Sequence, residues 1–419
     1  MNKILPLWHI IVAFAFLPFI SSPLLAQTGN KVTINSDNVL VINGKKIFPI
    51  GFTTAPLPDA KAPNGKNGIE ELASAGGTFF RTGGNGRNWD ETVIANEQKW
   101  QDTAARYGMY CWVYLRDLAS IKPGDAKHEA MLRRVVNQFK DHPGMGIWKG
   151  ADEPEWGKVK VQPLINAREI VRELDPNHPL AIIQAPRGTV QTMRPYNTAS
   201  DITGADVYPI SYPPGTHSLL PNKELSMVGD YTKTMMQVAD GKMPVWMVLQ
   251  IAWSGVVKPD KTLRFPTFAE ERFMSYQAII NGARGLLYFG GNVEQAMSPE
   301  DAKLGWNWTF WNRVLRPVLE EIGTKSPLAP VLVAPNSTLP IKVTDAKGVE
   351  FCVREVGNEI YILACKREGD TIKVEFSGLP SVKGEGEVMY ESPRKVEVKR
   401  GKFTDWFAPF DVHVYRFKR

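Results

Sequence analysis

Short apolar runs recur between Ile47 and Phe289, and the segments between several of them carry apolar residues at helical spacing. The runs are Ile47–Phe52, Gly77–Arg81, Met109–Asp117, Met145–Glu153, Leu180–Gln184, Ile202–Tyr208, Val245–Gln250 and Gly285–Phe289. Near-continuous apolar character, rather than alternation, marks strands buried on both faces, as in a parallel sheet. The spacers Asp90–Tyr107, His128–Lys140 and Val161–Leu174 put apolar side chains on one helical face. Thr267-Phe-Ala-Glu270 is a capping box, which predicts a helix running to about Asn281. Eight such units predict an α/β fold, a closed (β/α)8 barrel. An open doubly wound sheet is the competing arrangement. It is disfavoured because the first strand leads into Gly51-Phe-Thr-Thr and not into a glycine-rich phosphate loop.

The pattern differs at both ends. Lys31–Ile42 alternates with period two and meets an Asn43-Gly44 turn, which predicts a hairpin leading into the first core strand. After Gly323 the chain changes to short alternating runs with frequent turns, from Leu332 to Phe417, and no helix is expected there. That predicts a small antiparallel β-sandwich, with Pro327, Pro330 and Pro335 marking the linker. The expected organisation is a signal peptide over 1–26, a catalytic barrel with its N-terminal hairpin over 27–325, and the sandwich over 330–419.

The signal peptide rests on Lys3, the apolar segment Ile4–Leu25 and a cleavage point at Ala26-Gln27, with Leu24 at the minus-three position. It implies a secreted or periplasmic protein with no stable membrane insertion after cleavage. An uncleaved anchor is the alternative. The three cysteines, Cys111, Cys352 and Cys365, are expected to be buried free thiols. A turn at Gly357-Asn358 pairs Cys352 near Leu363, so Cys352 and Cys365 lie diagonally rather than opposite each other.

Composition narrows the function. The net charge is +6, but the basic residues are scattered. No basic helix or nucleic-acid signature appears, so nucleic acid is not an expected partner. The six histidines show no metal-ligand grouping, so neither a metal nor any other cofactor is expected. Twelve tryptophans are many for a chain of 419 residues and suit a protein that stacks rings on sugars.

In a (β/α)8 barrel the chemistry gathers at the C-terminal strand ends. Those ends carry Arg81, Asp117, Asp152 with Glu153, Asp206 with Tyr208, Gln250 with Trp253, and Phe289 with Asn292 and Glu294. Carboxylates, amides and rings dominate, and no lysine is read as poised for Schiff-base chemistry. Trp306 or Trp308 is a further candidate sugar platform, whereas Trp311 is expected in the core.

Several stretches, in order, resemble clan A of the glycoside hydrolases, the β-galactosidase-like, cellulase-like and β-glucuronidase-like enzymes. Asn43-Gly-Lys-Lys-Ile-Phe-Pro-Ile-Gly51 is similar to the clan's approach to its first strand, and Arg81 matches an arginine at the second strand's tip. His142-Pro-Gly-Met-Gly-Ile-Trp148, leading to Asp152-Glu153-Pro154, resembles the fourth-strand Asn-Glu-Pro that holds the acid/base. Leu174-Asp-Pro-Asn-His-Pro179 is similar to the turn before the fifth strand. Asp201-Ile-Thr-Gly-Ala-Asp-Val-Tyr-Pro209 is similar to the sixth strand with its active-site tyrosine. The resemblance spans roughly Val41 to Gly323. It implies a glycosidase acting on a poly- or oligosaccharide, with Glu153 as general acid.

Two departures from the clan matter. Asp152 stands where the clan has Asn. Gln250 stands where it has its nucleophilic Glu, and a neutral amide cannot form a glycosyl intermediate. Three routes follow. Another carboxylate supplies the second function, with Glu294 and Asp206 best placed and Glu271 possible although it is expected to face solvent. The enzyme inverts through a more distant carboxylate. Or catalysis is lost and the protein binds glycan on a hydrolase scaffold. A transglycosylase is a further variant of the same chemistry. Arg81, Asp117, Asp152, Tyr208, Gln250, Trp253 and Asn292 are the candidate substrate-binding residues.

Overall fold

The computed structural model describes residues 29–84, 86–210, 218–252, 264–344, 347–382 and 384–419. The expected signal segment and Trp253 lie outside the described residues. Eight parallel strands close into a barrel. They are β1 (Ile50–Phe52), β2 (Phe79–Gly83), β3 (Tyr110–Tyr114), β4 (Met145–Asp152), β5 (Leu180–Gln184), β6 (Ile202–Asp206), β7 (Val245–Gln250) and β8 (Gly285–Phe289). β8 returns to β1 with Leu286 opposite Ile50 and Tyr288 opposite Phe52.

β5, β7 and β8 have the bounds expected from the pattern. β3 is shorter than expected, because Arg116–Ala119 turns into a 3-10 helix and takes Asp117 off the strand. The first run also divides. Lys45–Ile47 belongs to a separate small sheet, and Pro49, which has no N–H to give a ladder, stands just before β1.

That small sheet corrects the expected hairpin. It has three antiparallel strands, Val32–Ile34, Leu40–Ile42 and Lys45–Ile47. Asn35 makes the extra reversal, its Oδ1 accepting the backbone N–H groups of Asp37 and Val39. Val32, Leu40, Ile42 and Ile47 pack against Phe79, Ile147, Trp246 and Leu287 in the barrel interior. The Asn30 amide donates to the carbonyls of Pro143 and Met145, and the Val32 N–H donates to Asn177 O. These groups sit where the chain enters β4 and β5. The sheet therefore plugs the N-terminal mouth of the barrel and leaves the C-terminal mouth for ligands.

The outer helices begin and end where side chains cap them. Helix α1 (Glu91–Tyr107) starts at Asp90, whose carboxylate accepts from Val93 N, and stops at Gly108 with φ 69°. Helices α2 (Ala126–Phe139), α3 (Val161–Leu174), α4 (Met227–Ala239) and α5 (Phe268–Ile280) follow, and α5 opens with the Thr267–Glu270 capping box. After β8, Trp308 and Trp311 each lie within about 6 Å of Trp306, with Phe52 against Trp306 and Trp311. All three tryptophans are buried, so Trp306 and Trp308 are core residues rather than sugar platforms.

The C-terminal sandwich stacks a five-stranded sheet on a three-stranded one. One short helix, Ala329–Leu332, precedes it, where none was expected. Cys352 pairs with Leu363, Cys365 pairs with Glu350, and all three thiols are free and buried. The sandwich leans on the barrel's outer helices. Arg367 makes a two-pronged contact with Asp230 of α4, and Arg272 of α5 donates to Glu321 and to Val412 O. The Glu350 carboxylate accepts from Gln277 and Asn281 of α5. Apolar packing runs through the same contact, from α5 to Leu363 and Val414.

Glu97 of α1 gives the barrel wall a pH dependence. Its carboxyl is buried and accepts from Thr82 Oγ1, Gly83 N and Gln101 Nε2. Desolvation outweighs those bonds and raises its pKa from 4.5 to about 7. Between those values the folded state holds a proton that the unfolded chain has lost, so this contribution falls as pH rises through the window. Relative to wild type, Glu97→Gln is expected to gain roughly 3 kcal/mol as pH goes from about 4 to about 8. Urea unfolding of both proteins across that range checks it. A difference that stays flat with pH would remove Glu97 from the account.

Candidate active site

A cavity of about 190 Å³ opens at the C-terminal mouth of the barrel. Strand alternation builds most of its wall. Phe79 then Arg81 on β2, Ile147 then Lys149 on β4, and Leu287 then Phe289 on β8 point inward, with the second of each pair in the cavity layer. Trp112, Ile183, Asp206 and Val248 come from β3, β5, β6 and β7 by the same rule, and Thr53 and Tyr208 lie just past β1 and β6.

The tip of β4 breaks the rule. Strict alternation after Lys149 would turn Ala151 inward and Asp152 away. The β4–β5 register slips between Lys149 and Asp152, and the irregularity brings Asp152 into the cavity beside Lys149. Glu153 then takes a left-handed conformation, φ 45°, which is uncommon outside glycine and needs its surroundings to hold it. Its N–H donates to Ile183 O at 2.7 Å.

Lys149 has no exposed surface. Its Nζ lies 2.6 Å from Asp152 Oδ1 and 4.2 Å from the centre of the Tyr114 ring. Burial pushes its pKa down, and the adjacent carboxylate opposes that. Asp152 responds in the opposite sense. Desolvation is the largest influence on it and acts upward, but Lys149 and Arg81 together overcome it and hold the carboxyl below its ordinary range. Asp152 is thus an anion. Oδ1 belongs to Lys149, and 42% of the side chain remains open to the cleft.

Glu153 and Asp206 face each other from β4 and β6 and share a hydrogen bond. Both are raised, first by desolvation, and Asp206 rises far more because Glu153 and Asp152 add like charge beside it. Of the two, Asp206 therefore keeps its proton to higher pH and donates it to Glu153. Asp206 Oδ1 is buried without a hydrogen-bond partner. With Arg81 and Lys149 positive, Asp152 negative and one negative charge shared by the pair, the cavity is close to neutral. Tyr208 stacks on Phe289 at 5.2 Å and forms an aromatic wall.

The structure therefore gathers Arg81, Asp152, Glu153, Asp206, Tyr208 and Phe289, six of the residues singled out from sequence, around one cavity. Others lie elsewhere. Gln250 is fully buried, its Oε1 accepting from Ile210 N and its Nε2 donating to Ile210 O, both at 2.7 Å. It ties the segment after β6 to the β7 tip and, being fully buried, presents no amide to a sugar. Asp117 accepts from Trp89 N and stands 3.9 Å from His128, outside the cavity lining. Asn292 and Glu294 are exposed on the segment after β8 and do not line the cavity. Glu271, expected at the surface, is fully buried with neither oxygen hydrogen-bonded, and burial raises its pKa strongly.

Lys149, which was not among the residues read at the strand ends, also lines the cavity. Its signal was present in the sequence: a lysine two positions after Ile147 in an apolar strand shares that residue's inward face. Trp156, three residues after Glu153, is 55% exposed beside Arg187 at the rim.

No family model matches this chain, and no curated protein matches it. Solved structures do. One described as a glycoside hydrolase superposes with a TM-score of 0.58 at 13% identity, covering 93% of this chain and 96% of that one. A glycoside hydrolase family 5 protein from Bacteroides vulgatus also gives 0.58, at 12% identity and 93% of both chains. An α-amylase from Geobacillus thermoleovorans gives 0.56 at 10% identity, over 88% of this chain and 98% of that one. At these identities the likeness is one of fold: this chain has the barrel-and-sandwich architecture of those proteins.

Proposed function

We propose that this protein hydrolyses an O-glycosidic bond, with Glu153 as the general acid. The observation that carries this reading is the hydrogen-bonded Glu153–Asp206 carboxyl pair at the open mouth of a barrel, both members raised by desolvation. A glycosidic oxygen leaves well only when it is protonated as the bond to the sugar breaks. Glu153 is the partly exposed member of the pair and can reach a bound leaving group. Asp206 is buried behind it and stores the proton. Arg81 and Lys149 keep Asp152 charged. The flat faces of Tyr208 and Phe289 suit a pyranose ring. The fold likeness to glycoside hydrolases supports the reading, as does the expected export of the chain, since extracellular glycans are common substrates of exported enzymes.

A second reading is a glycan-binding protein without turnover. It draws on Gln250, which leaves the seventh strand without a nucleophile. The two readings part on one experiment. Glu153→Gln is expected to lose about 10²- to 10⁴-fold in kcat on unactivated oligosaccharides while still binding them. Reducing-sugar release from a broad glycan panel by both proteins measures it. Binding without release by the wild type would select the second reading.

The shared proton also sets a pH profile. The pair gives up its last proton late, because a second negative charge forms beside the first. Asp206→Asn removes that charge and leaves an amide that still donates to Glu153. The alkaline limb of kcat/KM is expected to move down by about one pH unit or more. An unmoved limb would mean that Asp206 does not hold the proton.

Restoring the clan's acid at position 250 is expected to fail. In Gln250→Glu a carboxylate would face the Ile210 carbonyl with no donor between them, at a cost of about 2 kcal/mol or more. Chemical denaturation should show the loss, and glycosidase activity should not rise.

A further inference from the structure

On the reading that Glu153 protonates a glycosidic oxygen, the partner not found among the described residues of the cavity is the group that attacks the anomeric carbon. We propose that the substrate itself supplies it: the protein acts on 2-acetamido-2-deoxy glycosides, and Asp152 receives the acetamido N–H.

The placement of the acids argues for this. Among the described residues lining the cavity, the three carboxyls all come from the β4 and β6 tips. Glu153 and Asp206 touch, whereas an enzymic nucleophile stands roughly 5–5.5 Å from the acid and a water-activating base roughly 6.5–9.5 Å away. The β7–β8 flank presents Val248 and Phe289 to the cavity, and Gln250 is locked on Ile210. The described part of that flank has no group able to attack carbon or to deprotonate water. One class of glycosidases without such a group uses the substrate's own amide.

Asp152 is built for that partner. Lys149 takes Oδ1, while Oδ2 makes no hydrogen bond among the described residues and the side chain is open to the cleft. An ionised carboxylate beside a general acid does not donate a proton, but it can accept an amide N–H and stabilise a cation. The buried Asp206 Oδ1, also unpartnered, adds a second acceptor on the same flank. The near balance of charge suits a neutral sugar over an acidic one. Tyr208 and Phe289 offer an apolar wall to the acetyl methyl.

The step balances without any added reagent. The acetamido oxygen forms a bond to C1 as the C1–O bond to the leaving group breaks. Asp206 passes the pair's proton to Glu153, which gives it to that leaving oxygen. The resulting oxazolinium carries its positive charge next to Asp152. Water then attacks C1, its proton passes to Glu153, and the ring opens to restore the acetamide with net retention.

The test uses the whole protein with paired 4-nitrophenyl glycosides, in gluco and galacto forms and both anomers, bearing either 2-acetamido or 2-hydroxy groups. It adds a thiazoline analogue of the oxazolinium, followed by calorimetry, and 2-deoxy-2-fluoro glycosides, which label enzymic carboxylate nucleophiles. The expected result is turnover of a 2-acetamido substrate at least about 100-fold above its 2-hydroxy counterpart, thiazoline binding, and no label. Asp152→Asn should lose about 100-fold in kcat and weaken thiazoline binding, while Glu153→Gln should retain that binding. If Asp152→Asn misfolds around an unpaired Lys149, the double variant with Lys149→Met removes both charges and is read the same way. Equal or better turnover of 2-hydroxy substrates, or a fluoro-sugar label, would overturn the proposal and leave the glycosidase reading standing. Absence of turnover on every substrate together with no thiazoline binding would overturn both.

Discussion

A lysine ammonium inside the barrel is the constraint around which the site is organised. Lys149 has no exposed surface, and a buried charge without a counter-ion is costly. The β4 tip meets that demand. Its register slips after Lys149, which swings Asp152 inward to 2.6 Å. Asp152 is thereby held ionised, and its charge helps to keep a proton on the neighbouring Glu153–Asp206 pair. Lys149, Asp152, Glu153 and Asp206 thus form one electrostatic unit, in which the state of each member follows from the one before.

This unit needs a rigid frame, because a left-handed residue and a shared proton tolerate little movement. The frame comes from both ends of the chain. The small N-terminal sheet fills the lower mouth of the barrel and locks onto the starts of β4 and β5 through Asn30 and Val32. The sandwich braces α4 and α5, the helices outside β6 to β8, by the Arg367–Asp230 pair and by Arg272. Gln250 then ties the segment after β6 to the β7 tip. A residue that resembles a disabled nucleophile in the linear sequence is a structural clamp in the folded protein.

The chain shares its barrel fold with solved glycoside hydrolases, and the charge at its own mouth is unevenly distributed. The acids crowd one flank and the opposite described flank is apolar. Fold likeness at 10–13% identity leaves the chemistry to be argued from the site itself.

Much of the architecture was legible in the order of residues. Buried parallel strands need continuous apolar runs, so β5, β7 and β8 could be bounded from sequence, and Thr267 and Glu270 announced their helix through local capping chemistry. Glu153 and Asp206 followed from a general rule about strand ends. Other features depended on contacts between distant parts of the chain. Whether Glu294 or Asn292 reached the cavity depended on the path of the segment after β8, which no periodicity encodes. Asp117 left its strand at a local turn, and Trp306 and Trp308 found one another and Phe52 in the core. Lys149 carried an inward parity that sequence could have supplied, but only the slip at β4 paired it with Asp152. Sequence by itself determined which elements form and which residues stand at their ends, because those follow from local periodicity and capping. Tertiary structure alone decided which carboxyls share a proton and which stay charged, because desolvation and charge proximity arise only when separate strands close into a barrel.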